Sequence, residues 1–180
     1  MLFCLPCSRL ETNLKDLSFI KWSTSGPQLA VGNAKGNLLI YNSMTRKKIP
    51  IMGKHPRRIC SGAWTAASND LVLGSENKTL TVSNENGDTL VHREVRYAPL
   101  EIHVGLSSHR SPDGPGRSSS EEATIAANLG GRVLMLCSLD PSVEPLELSF
   151  DQQYGELIKH CWLSSGLVAL GFASGQLVIL

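Results

Sequence analysis

The sequence is poor in the residue types on which most site chemistry depends. Cysteine occurs five times, at 4, 7, 60, 137 and 161. An odd, scattered set cannot form a fully paired disulfide framework and fits reduced thiols. Aromatics make up 6% of the 180 residues, and none interleave with the basic residues as base-stacking platforms would, so nucleic acid is not an expected partner. No uninterrupted apolar run approaches the roughly 18 residues of a membrane-spanning helix. The start, MLFCLPCSRL, lacks the basic leader and small-residue cleavage site of a secretory signal, and the chain is expected to be intracellular.

Catalytic signatures are missing as well. No Gly-x-Ser-x-Gly elbow occurs, and His55, His92, His103, His109 and His160 share no catalytic spacing. His160 adjoins Cys161, but neighbours on a strand point to opposite faces, which argues against an activated thiol. The glycines from Gly26 to Gly36 are not followed by the Lys-Ser/Thr of a phosphate loop, and Asp113-Gly114 lacks the remaining ligands of a calcium loop. Cys4 and Cys7 form a CLPC motif without the second ligand pair that zinc requires. No catalytic residue, metal ion or cofactor is therefore expected.

What the chain has instead is repetition. Gly32–Tyr41 (GNAKGNLLIY) returns as Gly74–Ser83 (GSENKTLTVS), Ala127–Leu136 (ANLGGRVLML) and Gly171–Leu180 (GFASGQLVIL). In each copy a small residue closes one apolar run, a short polar connection follows, and a second run rich in Leu, Val and Ile begins, which is a hairpin pattern. The copies start 42, 53 and 44 residues apart, the period of a four-stranded propeller blade. Gly26, Pro27, Gly32 and Gly36 fall within eleven residues and would interrupt a helix.

Unit one reads as strands SFIKW, QLAVG, NLLIY and a fourth near KKIPIM. Unit two reads as RICSGAW, NDLVLG, TLTVS and TLVHREV, with a turn at Glu85-Asn86-Gly87-Asp88. In unit three the stretch 107–122, crowded with Ser, Gly and Pro, is expected to be a mobile loop between two strands. A helix from Ser120 to Leu129 competes there, but the repeat assigns Ala123–Ala127 to the strand before the hairpin. Unit four has strands GELIKHCW, GLVALG and QLVIL and no fourth strand. Trp22, Trp64 and Trp162 precede the hairpins by ten, ten and nine positions and are expected in one buried site between units. The prediction is an all-β, WD-type β-propeller, incomplete at three to four blades and not a closed ring, over 17–180, after an irregular leader at 1–16.

Charge is distributed unevenly. From Leu17 to Asn69 there are eight Lys or Arg and no Asp or Glu, whereas Asp70 to Leu180 holds seven basic and fourteen acidic residues. The dense part comprises Arg46, Lys47 and Lys48 with Arg57 and Arg58. Two readings stand together: an outer strand whose cations discourage edge pairing, or a docking patch for an acidic partner or an anionic membrane surface.

The repeats resemble divergent WD repeats. Gly53-Lys54-His55 stands for the Gly-His dipeptide, and Tyr41-Asn42, Ser83-Asn84 and Leu136-Cys137 replace Trp-Asp. Whole segments, AVGNAKGNLLIYNSMTRKKIPIMGKHPRRICSGAW, LGSENKTLTVSNENGDTL and HCWLSSGLVALGFASGQLVIL, are similar over about 17–180 to the N-terminal propeller of the WD-repeat subunits of the intraflagellar transport A complex. The resemblance implies interior blades of a longer propeller and a non-enzymatic scaffold supporting retrograde ciliary transport and entry of membrane proteins into cilia. It further implies other subunits of that complex and ciliary membrane cargo as partners, and residence in the cytoplasm, the cilium and the ciliary base.

Overall fold

The computed structural model describes residues 9–108, 121–163 and 166–180. Four antiparallel sheets follow one another along the chain. Blade one comprises β1 (Leu17–Trp22), β2 (Gln28–Asn33), β3 (Leu38–Asn42) and β4 (Lys48–Ile51). Blade two comprises β5 (Ile59–Trp64), β6 (Leu71–Ser75), β7 (Thr79–Ser83) and β8 (Thr89–Glu94). In blade three are β9 (Pro99–Ser108), β10 (Glu121–Leu129), β11 (Val133–Ser138) and β12 (Leu146–Ser149), and in blade four β13 (Leu157–Trp162), β14 (Val168–Phe172) and β15 (Leu177–Ile179). Strand order equals chain order in every blade, as expected where each strand is joined to the next by a short hairpin. The sheets do not close into a ring.

Residues predicted to alternate do so across the blade seams. One face of blade one (Ala30, Leu38, Ile40) meets Ile59, Trp64, Leu71 and Leu73 of blade two. Ala63, Val72, Leu80 and Val82 meet Ile102, Ile125, Ala127 and Met135 of blade three. Ala126 and Leu134 meet Leu157, Val168, Leu170 and Phe172 of blade four. Because side-chain period in a strand is two, β6 serves two seams at once and is buried along its whole length; β2 is equally buried because blade two covers one face and Leu10 and Leu14 of the leader the other.

Each seam is also pinned by one hydrogen bond to the first carbonyl of the following innermost strand. Ser18 Oγ donates to Ile59 O at 2.8 Å, Ser61 Oγ to Pro99 O at 2.7 Å, and Asn128 Nδ2 to Leu157 O at 2.7 Å. Beside these bonds Ile59 lies over Gly32 at the first seam as Ile102 does over Gly74 at the second, and further contacts differ from seam to seam. Phe19 lies over Gly62, where a Cβ would come within 2.9 Å of its ring. Ile102 lies over Gly74 beside Ser61, and His160 faces Glu101 and His103.

Several expectations need adjustment. The third hairpin core begins at Asn128 rather than Ala127: Asn128 pairs with Leu134 as Gly32 pairs with Leu38 and Gly74 with Leu80. Ala127 instead faces blade two. A one-residue slip exchanges the two faces of a strand, and the slip arises because this unit places Asn, not Gly, at the small-residue position. Trp64 is buried, but Trp22 is 50% exposed, since a tryptophan at this position packs against the preceding blade. Accordingly Trp64 Nε1 donates to Lys21 O of blade one at 3.1 Å, and the Trp162 ring lies on Gly105 of blade three.

Of the Ser120–Leu129 stretch, Glu121–Leu129 is strand, not helix, as the repeat register predicts. Of the expected mobile loop at 107–122, Ser107 and Ser108 end β9 and Glu121 and Glu122 begin β10; the remainder lies outside the described residues, as do Cys4, Cys7 and His109. Residues 9–16 are irregular, yet Leu10 and Leu14 pack on Leu29, Val31 and Leu39, covering part of the face of blade one that has no blade before it.

Candidate docking surface

All five cations singled out in the sequence are exposed, and β4 divides them into two groups. Arg46 and Lys47 lie in the β3–β4 turn and Lys48 opens β4, while Arg57 and Arg58 precede β5. The four residues of β4 span about 13 Å at the usual rise per residue. The two groups therefore sit at opposite ends of an outer strand.

The β3–β4 turn is held by its own polar groups. Asn42 Oδ1 accepts from the N–H groups of Met44 and Thr45, both at 3.0 Å, and Asn42 N–H donates to Lys47 O at 3.0 Å. Ser43 N–H donates to Pro27 O at 2.9 Å, and Arg46 closes the turn at φ 57°. Such an Asx-type arrangement satisfies the turn without side-chain burial, so Met44 remains 82% exposed. Lys48 Nζ donates to Glu11 O at 2.7 Å.

The other group is fixed through its backbone. Arg58 O accepts from Glu76 N–H at 2.9 Å and from Ser75 Oγ at 2.9 Å, and Arg57 O accepts from Ser75 Oγ at 3.2 Å. The same connection is held against the β2–β3 turn by His55 N–H donating to Gly36 O at 3.0 Å. Gly36 has φ +78°, and a Cβ there would lie 1.9 Å from His55 O, so only glycine allows this approach. Among the described residues none of the five cations lies within 4 Å of a carboxylate.

Lys54, within the same basic stretch, has a structural role. Its Nζ donates to Gly87 O at 2.9 Å and Thr89 Oγ1 at 2.5 Å, and burial lowers its pKa despite the nearby Asp88. Next to it His55 is buried between Thr79 Oγ1 at 3.0 Å and Thr81 Oγ1 at 3.1 Å. Burial, with Lys54 and His92 nearby, pushes His55 down to about 4. The imidazole is thus a neutral tie from the blade-connecting segment to β7. The degraded Gly-Lys-His motif was the available signal for it, but its two threonine partners carry no motif.

A second cluster escaped sequence reasoning. Glu101 on β9 accepts from Lys159 Nζ at 2.6 Å and His160 N–H at 3.2 Å, with His103 Nε2 at 3.4 Å; His160 Nδ1 lies 3.3 Å away but makes no hydrogen bond. Burial alone would raise the Glu101 carboxyl, but these donors together hold it below the usual range. His160 is buried and its Nε2 donates to Ala126 O at 3.0 Å; burial lowers its pKa against that bond and the Glu101 charge. Cys161 points away and is exposed, so the thiol is not beside the imidazole. The cluster joins blade three to blade four. Among the described residues no group of three or more His, Cys, Asp or Glu is arranged to hold a metal ion.

The family model for the WDR19 first beta-propeller matches residues 5–180, nearly the whole chain and part of the leader. The chain belongs to the WDR19 first beta-propeller family. Among similar members is WD repeat-containing protein 19 of mouse, 41% identical over 169 residues, which cover 93% of this chain and 12% of that protein. The human protein of the same name is 39% identical over 174 residues, covering 96% and 12%. WD repeat-containing protein dyf-2 of Caenorhabditis elegans is 29% identical over 169 residues, covering 93% and 12%. The chain therefore spans about an eighth of the length of these relatives. In fold it is similar to the crystal structure of the Myceliophteria thermophila Cps50 (Swd1) beta-propeller domain, with a TM-score of 0.69 at 16% identity over 93% of this chain and 52% of that one. The blades described above are those of a WDR19-type first propeller.

Proposed function

We propose that this chain acts as a non-enzymatic scaffold segment of an intraflagellar transport A subunit, working in the cytoplasm, the cilium and the ciliary base. In this reading it supports retrograde transport and the entry of membrane proteins into cilia by binding other subunits of that complex and ciliary membrane cargo. The observation that carries it is membership of the WDR19 first-propeller family over residues 5–180. The fold supplies rigid blades whose turns present Arg46, Lys47, Lys48, Arg57 and Arg58 to partners. Neither a cofactor nor nucleic acid enters the scheme.

The test is co-purification of the tagged chain with the other complex subunits from ciliated cells, with and without replacement of these five cations by glutamate. Recovery of the subunits by the parent chain and their loss from the charge-reversed form is the expected result. Failure of the parent chain to recover any of them refutes the reading. A second reading, an adaptor on anionic membrane lipids, is favoured by the lack of any carboxylate from Leu17 to Asn69.

A further inference from the structure

The five cations do not form one surface, and their two settings differ chemically. Arg57 and Arg58 lie beside Glu76, whose N–H is bonded to Arg58 O. At the other end of β4, Arg46, Lys47 and Lys48 follow Met44 on a single hairpin tip, in a turn that its own backbone and Asn42 hold open. The nearest carboxylates are already engaged: Glu85 Oε2 accepts from Gln28 Nε2 at 3.0 Å, and Glu11 lies 3.8 Å from Arg9. The tip thus offers one unbranched apolar side chain, 82% exposed, with Arg46 and Lys47 in the turn and Lys48 beside it, its ammonium bonded to the neutral Glu11 carbonyl and still charged, on a support that need not be ordered on binding.

We infer that the β3–β4 hairpin tip, Met44 with Arg46, Lys47 and Lys48, docks on an anionic lipid surface. This rests on the second reading above and narrows it to one end of one strand. A protein hot spot calls for a well-packed apolar or aromatic centre inside a broad interface, and this tip has neither. A shallow apolar insertion flanked by cations matches the interfacial region of a membrane, where burial and attraction to anionic head groups add. Arg57 and Arg58, beyond β4, take no part.

The experiment is flotation of the full chain with phosphatidylserine-containing vesicles and with phosphatidylcholine-only vesicles, far-UV circular dichroism and the urea midpoint serving as controls for folding. The parent chain is expected to float with the anionic vesicles alone. The variant R46Q/K47Q/K48Q is expected to lose on the order of 100-fold in partitioning, from about fivefold per cation. Met44→Asn should lose several-fold, and R57Q/R58Q should stay within about twofold of the parent. Lys47→Gln alone, with a loss of about fivefold, decides the matter should the triple variant fold poorly. The inference is overturned if the parent chain ignores anionic vesicles, if the hairpin variants bind as it does, or if R57Q/R58Q loses as much as the triple variant. Co-purification with complex subunits is read separately, so loss of lipid binding leaves the scaffold reading standing.

Discussion

Replacing Trp64 and Trp22 separately by alanine tests the seam architecture more sharply than any change at the surface. The two residues end equivalent innermost strands, opposite Leu71 and Leu29 respectively, and a repeat alignment treats them as one position. Trp64 is 5% exposed and packs with Ala30, Ile40, Leu71 and Leu73, whereas Trp22 is 50% exposed. Truncating a buried aromatic costs about 3–5 kcal/mol, transfer and cavity terms together. In a domain of this size that corresponds to a fall of roughly 6–20 °C in Tm. Trp22→Ala should cost about 1 kcal/mol or less, since half of its surface is already in water. Trp64→Phe removes the bond to Lys21 O together with part of the buried ring and should cost at least about 1–2 kcal/mol, less than the alanine variant. Urea unfolding by fluorescence and circular dichroism measures all three, provided the m-value is unchanged. Equal costs for the two alanine variants would refute the claim that this tryptophan acts on the preceding blade.

Three further outcomes are expected. Gly36→Ala should destabilise the chain by at least about 1–3 kcal/mol, because its φ of +78° and the His55 carbonyl both exclude a side chain; chemical denaturation checks it. Acidification should weaken the fold through groups whose folded pKa is depressed, His55, His160 and Glu101 among them. His55, near 4 when folded, binds more protons unfolded, so its contribution is complete above its unfolded value near 6.5 and is lost as pH falls toward 4. Glu101 acts in the same sense at lower pH, its contribution present above the unfolded carboxylate value and lost as pH falls through its depressed folded value. NMR should show the His55 ring neutral at pH 5, and Glu101→Gln should flatten the acid limb of the stability curve; an unchanged limb would dismiss the Glu101 role. Finally, Cys137, whose thiol burial pushes up to about 11, should resist maleimide while exposed Cys161 reacts, as peptide mapping after brief labelling would show.

The hairpin cores were legible because glycines and turn residues punctuate apolar runs at blade-like intervals, a purely local signal. Register in the third unit was not, because Asn128 stands where the first two units have glycine and reaches across to Leu157 O. Burial of the tryptophans was half legible: their common position could be counted, but which neighbour each one needs is a long-range matter. The basic stretch looked like one patch because Arg46 and Arg58 are near in sequence. A short outer strand between them carries the chain from one end of the blade to the other. Lys54 and His55 were absorbed into the fold by Gly87, Thr79, Thr81 and Thr89, partners that lie in the next unit and have no motif of their own.

The seams fit together by partly unlike means: the first two each set an isoleucine over the glycine before the hairpin, Ile59 on Gly32 and Ile102 on Gly74. The first adds a phenyl ring over Gly62, and the third holds an imidazole between a carboxylate and a second imidazole. A blade moved to another place in the series would bring a ring against a ring or strand a carboxylate against hydrocarbon. The order of the units, fixed by their connecting loops, is thus matched by the contacts between them.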